Sequence, residues 1–90
     1  MTSNPTITVL YFAAASTATG LAEELIPLPE TPFPLSSLGS LITSRHPNKG
    51  LEAILNTSSW SVDADMVDEP GKTSLKGGEE VAVICPVSGG

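Results

Sequence analysis

The sequence predicts an α+β domain, a mixed sheet with one main helix packed across it, and three observations lead there. The two most strand-like apolar stretches, residues 6–12 and 81–87, lie near opposite ends of the chain. Between them only residues 35–42 repeat apolar side chains at helical spacing, at Leu35, Leu38, Leu41 and Ile42. Proline and glycine clusters cut the remainder into short pieces. Ninety residues make one domain, 1–90, with one thin core and no room for a cleft between lobes.

The elements follow in order. Residues 6–12 are β-branched and aromatic; Ile7, Val9 and Tyr11 fall on one face, and Thr8, Leu10 and Phe12 on the other. A strand apolar on both faces belongs at the centre of a sheet. Residues 13–20 are small and polar, a short helical turn or a loop ending at Gly20. Residues 21–28 can return as a second strand. Pro27, Pro29, Pro32 and Pro34 then impose a stiff connector into the helix. Gly39 weakens that helix by about 1 kcal/mol relative to alanine, and Pro47 ends it near Arg45. Residues 51–55 can add one more helical turn. Residues 60–67 alternate and read as one half-buried strand, with Trp60, Val62, Ala64 and Met66 on one side and an acidic outer edge. Asp68-Glu69-Pro70-Gly71 is a turn, a short strand can follow at 72–75, and Gly77-Gly78 turns the chain into the last strand. The most apolar strands, first and last, are expected to pair centrally.

Composition excludes several functions. The formal charge is −6, from four basic and ten acidic residues, the wrong sign for a nucleic-acid binder. No apolar run reaches membrane-spanning length, and the polar start carries no signal-peptide pattern. A single cysteine, Cys85, allows neither an internal disulfide nor a cysteine zinc cluster, and it fits a reducing compartment. The cytosol is the expected location.

Candidate chemistry inside the domain is thin. Gly71-Lys72-Thr73 resembles the end of a phosphate loop, but Met66 stands where the first glycine belongs. His46 is the only histidine, too little for a metal site or a triad. Cys85 has no base nearby in sequence. Asp63 and Asp65 read as solvated carboxylates. No metal and no tightly bound cofactor is expected.

The sequence offers more at residues 86–90, read as a flexible functional tail. Val87, Ser88 and Gly89 lead to Gly90, and two residues without Cβ can thread a channel too narrow for a side chain. A terminal carboxylate is a poor electrophile until it is adenylated; AMP then becomes a leaving group. Gly90 is therefore the candidate reacting residue, with Gly89, Ser88 and Val87 giving it access.

Specific stretches resemble one family. Ile7-Thr8-Val9-Leu10-Tyr11-Phe12-Ala13 with Thr19-Gly20, then Ser44-Arg45-His46-Pro47, and above all Gly78-Glu79-Glu80-Val81-Ala82-Val83-Ile84-Cys85-Pro86-Val87-Ser88-Gly89-Gly90 look like the small subunit of molybdopterin synthase, eukaryotic type. Cys85 stands where the resemblance leads one to expect a second proline. The resemblance implies a ubiquitin-like β-grasp fold with a protruding Gly-Gly tail. It implies a sulfur carrier: ATP, used transiently by an activating adenylyltransferase/sulfurtransferase, adenylates Gly90. Sulfur replaces AMP to give a thiocarboxylate. A large synthase subunit uses that sulfur to build the dithiolene of molybdopterin, in a heterotetramer. The chain would be a sulfur-donating cosubstrate with no internal catalytic residue. It further implies a sheet face, with Phe12, Met66 and Val83, that meets the large subunit and the activating enzyme. The competing readings are a ubiquitin-related modifier conjugated through Gly90 and a plain binding module.

Overall fold

The computed structural model describes residues 5–85. Its first strand, β1 (Thr6–Tyr11), alternates in burial as its composition dictates, with Ile7, Val9 and Tyr11 inward. Helix α1 (Ala13–Thr19) follows at once and ends at Gly20, whose positive φ of 74° lets its N–H reach back to the Ser16 carbonyl at 2.8 Å. Strand β2 (Glu23–Pro27) returns antiparallel to β1. The proline-rich connector carries the two-residue strand β3 (Phe33–Pro34) and a 3₁₀ turn over Leu35–Ser37. Helix α2 (Leu38–Arg45) comes next and stops ahead of Pro47. Helix α3 (Leu51–Asn56) is its continuation after Gly50.

The next segment departs from the sequence reading. Residues 60–67 form a hairpin, β4 (Ser59–Val62) and β5 (Asp65–Val67), with Asp63 and Ala64 both at positive φ, 50° and 73°. Two residues at positive φ make the tight turn whose twist matches paired strands. Alternation survives such a turn, which is why the pattern is continuous in the sequence. The turn puts Met66 opposite Ser61, and Val67 opposite Trp60. Met66 therefore shares a face with Ser61 and not with Trp60. A 3₁₀ turn at Pro70–Lys72 leads to β6 (Ser74–Leu75), which pairs with β3 in a small separate sheet.

Strand β7 (Glu80–Ile84) closes the main sheet, whose order is β2-β1-β7-β4-β5. It lies parallel to β1 and antiparallel to β4, so the first and last strands are central, as their composition requires. The three helices cover one face of the sheet. Ile7, Val9, Ile26, Val81 and Val83 from the sheet meet Leu35, Leu38, Ile42 and Leu51 in one continuous core. The mixed sheet with helices across one side is the ubiquitin-like β-grasp arrangement. The helical layer is shared among three short helices, so α2 is the largest helix but not the only one. No helix among the described residues is long and apolar enough to cross a membrane.

Candidate functional site

The other face of the sheet carries no helix among the described residues. Alternation along each strand decides what it presents. Leu10 from β1, Ala82 and Ile84 from β7, Ser61 from β4, Met66 from β5, and Glu23 and Leu25 from β2 all point away from the core. The register places Glu23, Leu10, Ala82, Ser61 and Met66 in one row across the sheet. Phe12 continues β1 in an extended conformation and joins the same face. Phe12 is 49% exposed, Met66 59%, Leu25 65% and Ile84 37%. These side chains make this the face on which exposed apolar groups gather, the kind of surface from which contact sites are built.

Two of the three expected contact residues, Phe12 and Met66, thus lie on this open face. Val83 does not. It is fully buried, because it is the inward neighbour of Ile84 and sits level with Tyr11 and Trp60 on the core side. It is a core residue, and Ile84 takes its place on the surface. Leu10, Leu25 and Ile84 share this face and lie outside the set expected from the sequence, although the alternation of their own strands points them outward.

Because β1 and β7 are parallel, both end at the same edge of the domain. There Cys85 is the last described residue. Its thiol donates to the Phe12 carbonyl at 3.4 Å, and the Ser58 hydroxyl lies 3.7 Å from its sulfur. Ser58 Oγ also donates to the Ile54 carbonyl at 2.6 Å. Cys85 is therefore tied to the end of β1 and to the α3–β4 corner. Val87, Ser88, Gly89 and Gly90 lie outside the described residues.

The same end of the sheet holds a polar cluster on its core side. Glu24 Oε1 accepts hydrogen bonds from the Tyr11 hydroxyl at 2.7 Å and from His46 Nε2 at 2.8 Å, and Oε2 accepts from Arg45 Nε at 3.1 Å. Burial pushes the Glu24 carboxyl up, but the bonds from His46, Tyr11 and Arg45 outweigh it and hold the group below the ordinary glutamate range. Burial, together with the bond to Glu24 and its charge, raises the Tyr11 hydroxyl well above its ordinary value. His46 and Arg45, which in the sequence mark only the end of a helix, thus lock α2 to the edge strand. Both oxygens of the Glu24 carboxylate are thus committed within the cluster.

Elsewhere, a shallow groove of ≈ 690 Å³ beside α2 and α3 is lined by Ser40, Thr43, Ser44, Asn56 and Trp60 among others, with no histidine or cysteine in its wall. No group of three or more His, Cys, Asp or Glu among the described residues is placed to hold a metal ion. Gly71-Lys72 lies in a 3₁₀ turn and not at the head of a helix.

No protein-family model matches the chain. It is 51% identical over 88 residues to a molybdopterin synthase sulfur carrier subunit of Mycosarcoma maydis, a match covering 96% of this chain and 95% of the relative. It is 36% identical to the sulfur carrier subunit of Aspergillus niger over 100% of both chains. Among solved structures it is similar to a putative molybdopterin converting factor subunit 1 of Pyrococcus furiosus, with TM-score 0.74 and 28% identity over 93% of this chain and 100% of the other. It shares the fold of a chain in the complex of subunits 1 and 2 of the molybdopterin-converting factor from Helicobacter pylori, with TM-score 0.64, 20% identity, and 94% and 99% of the two chains covered.

Proposed function

The chain belongs to the molybdopterin synthase sulfur carrier subunits, and from that premise we propose that its reacting group is the carboxylate of Gly90. An activating enzyme of the adenylyltransferase/sulfurtransferase type transfers AMP from ATP to this carboxylate, with release of pyrophosphate. A sulfur nucleophile then displaces AMP and leaves a thiocarboxylate. The large synthase subunit accepts the tail and passes the sulfur to the cyclic pyranopterin precursor. Water takes the place of the departed sulfur and regenerates the carboxylate. The domain supplies no acid, base or nucleophile to these steps. It supplies a rigid body to hold, a face to dock, and a fixed point from which the tail departs. We place the reaction in the cytosol, in a heterotetramer of two small subunits on a large-subunit dimer.

The observation that carries this reading is the chain-long similarity to sulfur carriers, which in the Aspergillus niger match spans the Gly-Gly segment. The open apolar face supports it, since it runs to the edge where the tail begins. The pairing of subunits 1 and 2 in the Helicobacter pylori complex supports the large subunit as the partner. The test is intact-mass analysis after incubation with ATP, the activating enzyme and a sulfur donor. The expected product has one oxygen replaced by sulfur, localised to Gly90. A mass that stays unchanged, or lysine conjugates in place of free thiocarboxylate, would sink the proposal; the second outcome would identify a protein modifier instead.

A further inference from the structure

The open sheet face is not uniform. At the end near the tail it is apolar, with Phe12 and Ile84 at the edge and, in the next row, Leu10 and exposed Met66 on either side of the buried Ala82 and Ser61. Acid borders it on two sides, away from the tail at Glu80 and along the β2 edge at Glu23. Glu80 lies four residues before Ile84 on β7, about 13 Å away along the strand. Thr8 stands opposite Glu80, and Leu25 opposite Thr8. Glu23 stands at the β2 edge of the Leu10 row. Both glutamates are exposed, and no outward position of the five strands carries a basic residue.

Glu80 is also held firmly by its backbone. The Asp63 N–H donates to the Glu80 carbonyl at 2.8 Å, and Asp63 Oδ1 accepts from the Glu80 N–H at 2.9 Å. The neighbouring Glu79 is committed elsewhere, since its carboxylate accepts from the backbone N–H groups of Lys76 and Gly77 at 2.9 and 2.7 Å. Glu79 belongs to its own turn, whereas the carboxylates of Glu80 and Glu23 have no hydrogen-bond or ion-pair partner among the described residues.

An apolar patch alone fixes contact but not direction, because a flat hydrophobic surface tolerates rotation about its normal. A charge to one side of it breaks that degeneracy. We propose that Glu80 and Glu23 orient the sheet face on a partner protein carrying basic side chains at two flanks of its docking surface, one away from the channel that receives the tail, to meet Glu80, and one beside the β2 edge, to meet Glu23. In the correct orientation the carboxylates meet those cations and the tail points into the channel. In the reversed orientation acid meets the channel side and the tail points away. This rests on the reading of the face as the large-subunit contact and adds the chemistry and direction of that contact. It also assigns the two glutamates a role in correct association, where charge acts mostly on the on-rate.

The test uses the full chain and the large synthase subunit of the same organism, with association followed by stopped flow between low and high salt. Glu80→Lys combined with Glu23→Lys should slow association by about tenfold at low ionic strength, and the gap to wild type should close as salt rises. Sulfur transfer should slow at subsaturating partner and recover at saturation, and the melting temperature should stay at the wild-type value. Glu79→Gln should behave in the opposite way, lowering the melting temperature while leaving the association rate of the folded fraction intact. Wild-type association by the double charge variant at low salt overturns the orientation proposal. Phe12→Asp tests the underlying face separately: if it binds like wild type, the face reading fails and this proposal with it.

Discussion

Glu24 gathers three donors from two different elements, and its removal should be felt in proportion. Glu24→Ala leaves the Tyr11 hydroxyl, buried against the His46 ring, without its acceptor. Losing the partner of a buried donor costs about 1–3 kcal/mol, so we expect about 2 kcal/mol here, read as a fall of roughly 10 °C in the melting temperature for a domain this size. The pH dependence has a definite sign. The folded-state pKa of Glu24 is depressed, so its contribution is fully present above the ordinary glutamate value of 4.5 and is lost as pH falls through the lower folded value. The stability gap between wild type and Glu24→Gln should be flat at neutral pH and shrink in acid below about pH 4.5; urea melts at a series of pH values measure it. A gap that grows on acidification would contradict the hydrogen-bond pattern. None of this is legible in sequence, since partners 21 and 22 positions apart leave no periodic trace.

Among the elements, the turns are where sequence and structure diverge, and two substitutions of opposite sign test them. Ala64 holds φ 73° at the second position of the β4–β5 turn, a region that costs a residue with a Cβ about 1–2 kcal/mol. Ala64→Gly should therefore raise stability by about 0.5–1 kcal/mol, after the added freedom of glycine in the unfolded chain is subtracted. Gly77 holds φ 122°, and a Cβ there would lie 2.7 Å from the Pro5 Cβ. Gly77→Ala should cost at least about 2 kcal/mol, from backbone strain and displacement of the β1 entry together. Thermal melts of the two variants, one above and one below wild type, check both. The strands themselves are readable, because burial on one face imposes a period of two: β1, β2 and β7 lie where their side chains say. The hairpin is not, because Asp63-Ala64 lacks the Asn-Gly or Asp-Gly signature of such turns and the period of two runs through it. The same limit misplaces Val83. An apolar residue in a strand apolar on both faces can point either way, and only pairing with Tyr11 and Trp60 decides.

At the scale of the molecule, body and tail should fail independently. If the tail threads a narrow channel, as proposed, Gly89→Ala and Gly90→Ala, which add one methyl group each, should both impair sulfur loading or transfer while leaving the melting temperature unchanged. One extra residue after Gly90 should abolish transfer, since it carries the carboxylate about 3.3–3.6 Å beyond the reacting position. A thiocarboxylate assay beside a thermal melt separates the two, and an extended chain that still transfers sulfur without trimming would refute the threading picture. The open face belongs to the body and is half legible: Phe12 and Met66 stand out in the sequence, the charge that flanks them blurs there into one diffuse acidic region, and only the fold separates Glu80 from Glu79. The parallel pairing of β1 with β7 has one more consequence, and it concerns assembly of the chain. The centre of the sheet joins a strand from the start of the sequence to one from its far end, so no stable nucleus of the central sheet can form from the N-terminal residues alone. Such distant pairing is slow to form, and while it is pending the apolar outer face and the inner strands are both uncovered. A chain cut short before Glu80 lacks the middle strand of the sheet and leaves β1 and β4 without the neighbour that joins them. Folding therefore acts as a proofreading step: a molecule compact enough to be recognised by a partner has already paired β7, the strand that precedes residues 86–90.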